Sequence, residues 1–432
     1  MRQLCCLFVL AFCIDLIEVK AQPKTDNELL RILQTNAPSV LSTVLKDPTK
    51  YRCQIIYTQI NRNKLNSPSF KNYYFNYDPS LYYNPASMVK MPLAFLSLEK
   101  LNQLKVKGVN KSTTILFDSS FPGQVAMYKD STSANQLPSI AHFIKRAFLI
   151  SENDPYNRMY QFVGQERINS ALHQKGYPSI RITRQFMGYT EEQNKHTNPI
   201  RFLDANSQLL YKLPAAYNTT PFDFSKAVFL GKAYFDRKDS LINAPFDFTK
   251  HNNVPLGDFQ QILQSVLFPS SVPANQQFKL TDDDRAFLLK YLSQYPSETD
   301  YPKYNDSLFY DSYVKFFFLD STHQMPKHIR VFNKVGWAYG FLTDVSYVID
   351  VKNNIEYMLS ATIYVNSDEV LNDSKYDYDE IGQPFMKQLG ESIYKYEKKR
   401  TRKYIPNLSA FKINYDQRNN KDNRKPISIV DN

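Results

Sequence analysis

Ser87 and Lys90 lie three residues apart in the stretch Tyr82-Tyr83-Asn84-Pro85-Ala86-Ser87-Met88-Val89-Lys90-Met91-Pro92-Leu93, where a polar, proline-punctuated segment turns into an apolar run. Residues three apart on a helix share a face. A helix begun by Ser87 therefore sets a lysine amine beside a serine hydroxyl, and an adjacent base is one way to make that weak nucleophile react. The spacing alone decides nothing, because Ser97-Leu98-Glu99-Lys100 repeats it within the same helix with no other sign of function. Two further polar sets follow: Ser151-Glu152-Asn153 and Lys334-Val335-Gly336. Taken singly, each has a plain reading. Ser151 and Asn153 suit a helix cap, Lys334 a solvent-facing strand position and Gly336 a bulge.

The elements that must carry these residues can be read from periodicity. Apolar spacing over 27–46 predicts helix, with Asp26 placed to cap it. Residues 52–60 and 70–77 read as two strands of a hairpin joined through 61–68. From 92 to 330 the pattern is mostly helical: 140–150 is an amphipathic helix ending at Ser151, and 156–162 and 166–174 are two shorter ones. Thr281-Asp282-Asp283-Asp284 opens another with a cap and an acidic first turn, while 205–275 is aromatic-rich with little periodicity. Near 329 the period changes to that of strands, over 329–336, 341–351 and 355–366, with a tight turn at 351–354. A helix over 381–395 ends the pattern. The expected fold is α+β: an antiparallel sheet flanked by N- and C-terminal helices, with an all-helical block inserted between its strands.

Composition narrows the class. Residues 1–21 read as a signal peptide, with Met1-Arg2 as the basic start, a short apolar run over 4–14 and cleavage near Ala21, so export to a periplasmic or extracellular space is expected. Phe12 before Cys13 argues against a lipid anchor. Cys5, Cys6 and Cys13 fall within that segment, which leaves Cys53 without an internal disulfide partner. No later run is long and apolar enough to span a bilayer. The 6 histidines show no metal-ligand spacing, so no metal or cofactor is expected. The net charge of +11 owes much to the last few dozen residues, read as a solvated basic tail over 401–432. No phosphate loop or nucleic-acid module is present, and a monomer without a nucleic-acid partner is expected.

In chain order the three sets read S-x-x-K, S-x-N and K-x-G, the order found in serine β-lactamases and penicillin-binding proteins. With their flanks, YYNPASMVKMPLAFLSLEKLN, FLISENDPYNRMYQFVG and FNKVGWAYGFLTDVSYVIDV, they make the chain resemble the class A β-lactamase-like serine hydrolases. The resemblance runs from about 27 to 395 and is poor over 205–320. It implies one domain over 22–400, with an α/β lobe (22–84 and 327–400) and a helical lobe (85–326). It also implies roles: Ser87 as acyl-accepting nucleophile, Lys90 as its base, Ser151 as proton relay, and Asn153, Lys334 and Gly336 as substrate-binding positions. The backbone N–H groups of Ser87 and Trp337 would form an oxyanion hole. The implied substrate is a β-lactam or a peptidoglycan-derived amide or ester.

Two departures qualify the family pattern. Val335 stands where the family usually carries a hydroxyl that helps hold a substrate carboxylate. The E-x-x-L-N loop, whose Glu activates the deacylating water, corresponds to a stretch where Asn198 matches the asparagine and Asn194 the base. Asn194 cannot act as a base, and Glu191 and Glu192 lack an asparagine four residues later. Three functional readings stay open: a β-lactamase-like hydrolase, a D-Ala-D-Ala-type peptidase, and a non-catalytic cell-wall- or partner-binding protein that keeps the fold.

Overall fold

In the computed structural model, residues 23–35, 37–319, 321–418 and 422–430 are described. The signal-peptide reading of 1–21 lies outside them. Five antiparallel strands form the central sheet, in the order Ile329–Ala338, Phe341–Asp350, Ile355–Tyr364, Gln54–Arg62 and Pro68–Phe75. The N-terminal hairpin thus completes a sheet begun by the C-terminal meander, through pairs such as Ile56 with Ser360. Strand alternation explains why both faces are apolar. Ile55, Tyr57, Val331 and Val335 enter one core, which they share with helices Asn27–Gln34, Ser39–Lys46 and Gln383–Lys399. Ile56, Phe332, Val345 and Met358 enter the other, under the helical lobe.

That lobe is built around helix Lys90–Leu104, whose residues from Lys90 to Glu99 are all buried. Helices Ile140–Leu149 and Asn153–Val163 pack on it. The lobe is not wholly helical. Thr114–Phe117, Ile200–Leu203 and Leu209–Leu213 form a small sheet, and the aromatic-rich stretch after 205 contributes short strands such as Phe229–Leu230 and Ala233–Phe235. Helix Leu256–Leu267 lies against the central sheet, where Gln260 donates to Thr58 (2.9 Å) and accepts from Ser360 (2.8 Å). The Thr281 cap forms as the sequence suggests, with a reciprocal Asp284 bond. Asp26 occupies the cap position of its helix, but its carboxylate accepts from the Tyr74 N–H (2.8 Å) and ties the helix to the edge strand instead.

The expected basic tail is not a solvated tail. Its run of charges starts at Glu397, which is fully buried and accepts from Tyr57, Arg400 and Arg402. Charge spacing in sequence hid this pairing. Further on, Phe411 is buried against Phe332, Tyr347 and Phe268 at ring separations of 5.5, 5.0 and 5.7 Å. Asp416 takes bonds from Lys290 and Tyr291, and Arg418 grips Asp306. Residues 401–418 are thus a strap over the sheet–helix seam. Truncating a buried Phe to Ala costs about 3–5 kcal/mol. Phe411→Ala is expected to lower the unfolding free energy by about 3 kcal/mol in a urea titration, whereas a solvated tail predicts no change.

Candidate active site

Ser87 lies in a 3-10 turn, Ala86–Val89, that runs directly into helix Lys90–Leu104. Asn84 Oδ1 accepts the Ala86 N–H (2.9 Å), and Ala86 adopts a left-handed φ of 44°. Ser151, in the loop between the next two helices, has φ of 70°. Such conformations cost an L-residue free energy of about 1–3 kcal/mol and persist where the surroundings enforce them. Both flank the reacting groups.

Lys90 is completely buried, and its amine is 2.7 Å from Ser87 Oγ, 2.8 Å from Asn153 Oδ1 and 3.4 Å from Ser151 Oγ; it also donates to the Ser151 carbonyl. The carbonyl and the amide oxygen can only accept. A neutral amine places its two N–H groups on them and is left with a lone pair aimed at the Ser87 hydroxyl. Burial, and then the nearby charge of Lys334, hold the Lys90 pKa well below the ordinary lysine value, opposed by Glu152. From the other side Lys334 donates to Ser151 Oγ at 2.7 Å and to its neighbour's carbonyl, Val335 O, at 2.8 Å. Burial pushes its pKa down to about 7, with Asp344 raising it and Lys315 lowering it further. One hydroxyl is thus shared between two buried amines.

The second S-x-x-K match resolves differently. Ser97 bonds back to the Leu93 carbonyl (2.8 Å), and Lys100 reaches the last carbonyls of helix Asn153–Val163. Both are structural uses of these side chains.

Gly336 explains how a strand reaches the serine. A Cβ there would sit 2.4 Å from Pro85 O and 3.1 Å from Met88 N, so the strand backbone lies against the turn that bears Ser87. Ile329–Ala338 is also the edge of the sheet, which leaves alternate backbone groups free of a strand partner on that side. Val335 points into the apolar core and is fully buried. Trp337 is half-buried beside Phe316 and Tyr313 and lines the site.

These groups open into a cavity of about 520 Å³ lined by Ser87, Ser151 and Asn153, with Phe186, Asn252 and Tyr339 among its walls. Asn252 comes from the poorly matching region, so part of 205–320 is a wall of the cavity. The four loop residues expected near the chemistry stand elsewhere. Glu191 is exposed and pairs with Lys250 (2.7 Å), and Glu192 pairs with Lys195 and His196 (3.2 Å each). Asn194 is buried, holding the Gln185 N–H and the Thr190 carbonyl (2.8 Å each), and Asn198 bonds to Asp118 O (2.7 Å). Glu152, although beside Ser151, is held by Arg146 and Tyr304. No acidic side chain is among the described residues that line the cavity.

Residues 41–227 match the model of the β-lactamase enzyme family. That segment carries β-lactamase-family sequence. It contains Ser87, Lys90, Ser151 and Asn153, whereas Lys334 and Gly336 lie beyond it and join the site through the sheet. No curated protein matches the chain. Among solved structures, a β-lactamase from Francisella tularensis is 13% identical, with 82% of this chain and 97% of that one covered at a TM-score of 0.46. A class A β-lactamase from Clostridium kluyveri is 14% identical, with 82% and 98% covered at 0.44. A β-lactamase from Sphaerobacter thermophilus is 11% identical, with 83% and 96% covered at 0.45.

Sequence reasoning missed Arg184, Phe186, His251, Asn252 and Tyr339, all at the cavity. None belongs to a spaced motif, and only the packing of 228–252 against Tyr82 and Tyr339 brings the later ones there. Overpacking a close contact costs about 1–3 kcal/mol. Gly336→Ala is expected to destabilise the protein by about 2 kcal/mol in thermal or urea melts; an unchanged midpoint would mean that the strand does not abut the Ser87 turn.

Proposed function

We propose that this chain is an exported serine hydrolase related to the β-lactamases, in which Ser87 attacks an amide, β-lactam or ester carbonyl and carries the acyl group. The observation that supports this most strongly is the Lys90 amine, buried, short of N–H donors when neutral, and 2.7 Å from Ser87 Oγ. In this reading Ser87 Oγ forms the bond to the carbonyl carbon as its proton passes to Lys90 Nζ. The tetrahedral oxygen is received by the Ser87 and Trp337 N–H groups. The bond to the leaving group then breaks, and its nitrogen, or an ester's oxygen, takes a proton through Ser151, which both amines contact. Lys334 supplies positive potential on the leaving-group side, and Asn153 orients Lys90.

Release of the acyl group is the slow half. Freeing it requires a base to activate water, and the described residues of the cavity walls offer no carboxylate. Glu191 and Glu192 are committed to surface ion pairs. In this reading the acyl donor is a β-lactam or a cell-wall peptide of the D-Ala-D-Ala type, and export rests on the reading of residues 1–21. Among the described residues no helix is long and apolar enough to cross a membrane.

Intact mass spectrometry after incubation with a penicillin tests this. The wild type is expected to gain one acyl adduct that persists for many minutes, and Ser87→Ala none. A wild type that is never acylated would mean a protein that keeps the fold only to bind. Rapid hydrolysis of a chromogenic cephalosporin would contradict slow release and return Glu191 or Glu192 to consideration.

A further inference from the structure

The cavity contains one charged group that the proposed chemistry leaves without a task. Arg184 is pinned at its backbone: its N–H donates to Asn252 Oδ1 (3.2 Å) and its carbonyl accepts from Tyr156 (2.8 Å). Its guanidinium lies 2.9 Å from His251 Nε2. A guanidinium can only donate, so that nitrogen accepts and the ring is the neutral tautomer protonated on Nδ1. Burial, then the charge of Arg184, hold the His251 pKa down to about 3, although Asp247 opposes them. The imidazole is therefore a fixed acceptor that orients the arginine and adds no charge.

No ion pair joins Arg184 to a carboxylate among the described residues, and the cavity lining holds no acidic side chain. Arg181, three residues earlier, shows the alternative. Its two terminal nitrogens donate to the Asp223 and Thr249 carbonyls at 2.6 and 2.9 Å. Among the described residues the Arg184 guanidinium bonds to one neutral partner, His251, and the side chain lines the cavity.

Position gives that charge a meaning, resting on the proposed function. If Ser151 protonates the leaving nitrogen, the leaving group lies toward Ser151 and Lys334. The acyl side chain then extends the other way, past Trp337 toward Tyr339, whose ring is 5.7 Å from that of His251. Arg184 and His251 also border a second cavity of about 850 Å³, lined further by Phe222, Phe224, Lys250 and the exposed carboxylates Glu191 and Asp247, the first of them paired with Lys250, so a long acyl chain has space to continue.

We propose that Arg184, oriented by His251, is a specificity-determining residue that receives a carboxylate on the acyl side of the substrate, and that the preferred substrates are acyl donors with an anionic side chain. A charge-assisted, two-pronged contact of this kind is the strong form of hydrogen bond, and a tenfold preference is a conservative expectation for it.

Benzylpenicillin and α-carboxybenzylpenicillin differ by one carboxylate on the acyl side. Trp337 is the only tryptophan in the chain and lines the cavity, so its fluorescence reports binding. In Ser87→Ala protein, which cannot be acylated, the carboxylated penicillin is expected to bind about tenfold more tightly at fixed ionic strength. The ratio should fall to near one in Ser87→Ala/Arg184→Ala and survive in part in Ser87→Ala/Arg184→Lys. Arg184→Gln, which keeps a donor for His251, serves as a second neutral variant, with melting curves verifying that each protein is folded. No binding of the carboxylated penicillin, a ratio near one with Arg184 present, or a ratio that Arg184→Ala leaves unchanged overturns the proposal. Because no acylation is involved, a failure of Ser87 chemistry shows in the mass experiment and not here.

Discussion

Two lysine amines buried around one serine hydroxyl set the terms for the rest of this molecule. Ser151 is approached by Lys90 and Lys334 from opposite sides, and both lysines are all but inaccessible to water. Two ammonium groups at such range, without solvent, repel strongly enough that both cannot stay charged. The folded-state pKa of Lys334, about 7, lies below its ordinary 10.5. Between those values the unfolded chain binds a proton that the folded chain has lost. This residue therefore subtracts stability below pH 10.5, increasingly so as the pH falls, with the full cost reached below about 7. The left-handed Ala86 and Ser151 add to the strain. Such a site persists because it is clamped between two large cores, one on each face of the sheet.

The clamp has a recognisable construction. The nucleophile turn is fixed to a helix buried on nearly all sides, and the edge strand comes against it at Gly336, where no side chain intervenes. The end of the last helix and the segment after it then lock the sheet: Glu397 with Tyr57, Arg400 and Arg402, and Phe411 over Phe332 and Tyr347. The strap over 401–418 belongs to the same body as the site, although its sequence looks like a solvated basic extension.

Much of this could be read in the sequence, and the parts that could not have physical reasons. Strands over 329–366 and the helix after Ser87 stand out because they are near-continuous apolar runs buried on almost every side, and the central sheet is built on those strands. Ser87 could be preferred to Ser97 because two other polar sets fall in order downstream, and the bonding of Ser97 to Leu93 agrees with that choice. Local pattern fails where function comes from long-range packing. Arg184 and His251 are 67 residues apart and touch only because 228–252 folds back as an aromatic wall. The Glu191–Glu192 loop fails for the opposite reason. It has the right residue types nearby, but its capped helix turns them outward to Lys250 and Lys195.

The site depends most on electrostatics at Lys90, whose burial and proximity to Lys334 hold its amine well below the ordinary lysine pKa. An NMR titration of the chain with ε-13C-labelled lysine, its signals assigned through Lys90→Arg and Lys334→Arg, measures this directly. One signal is expected to titrate near 7 and another well below the surface lysines, the two shifting when either residue is replaced. Both amines titrating with the bulk of the lysines near 10.5 would contradict it, and Lys90 could not then serve as the base for Ser87.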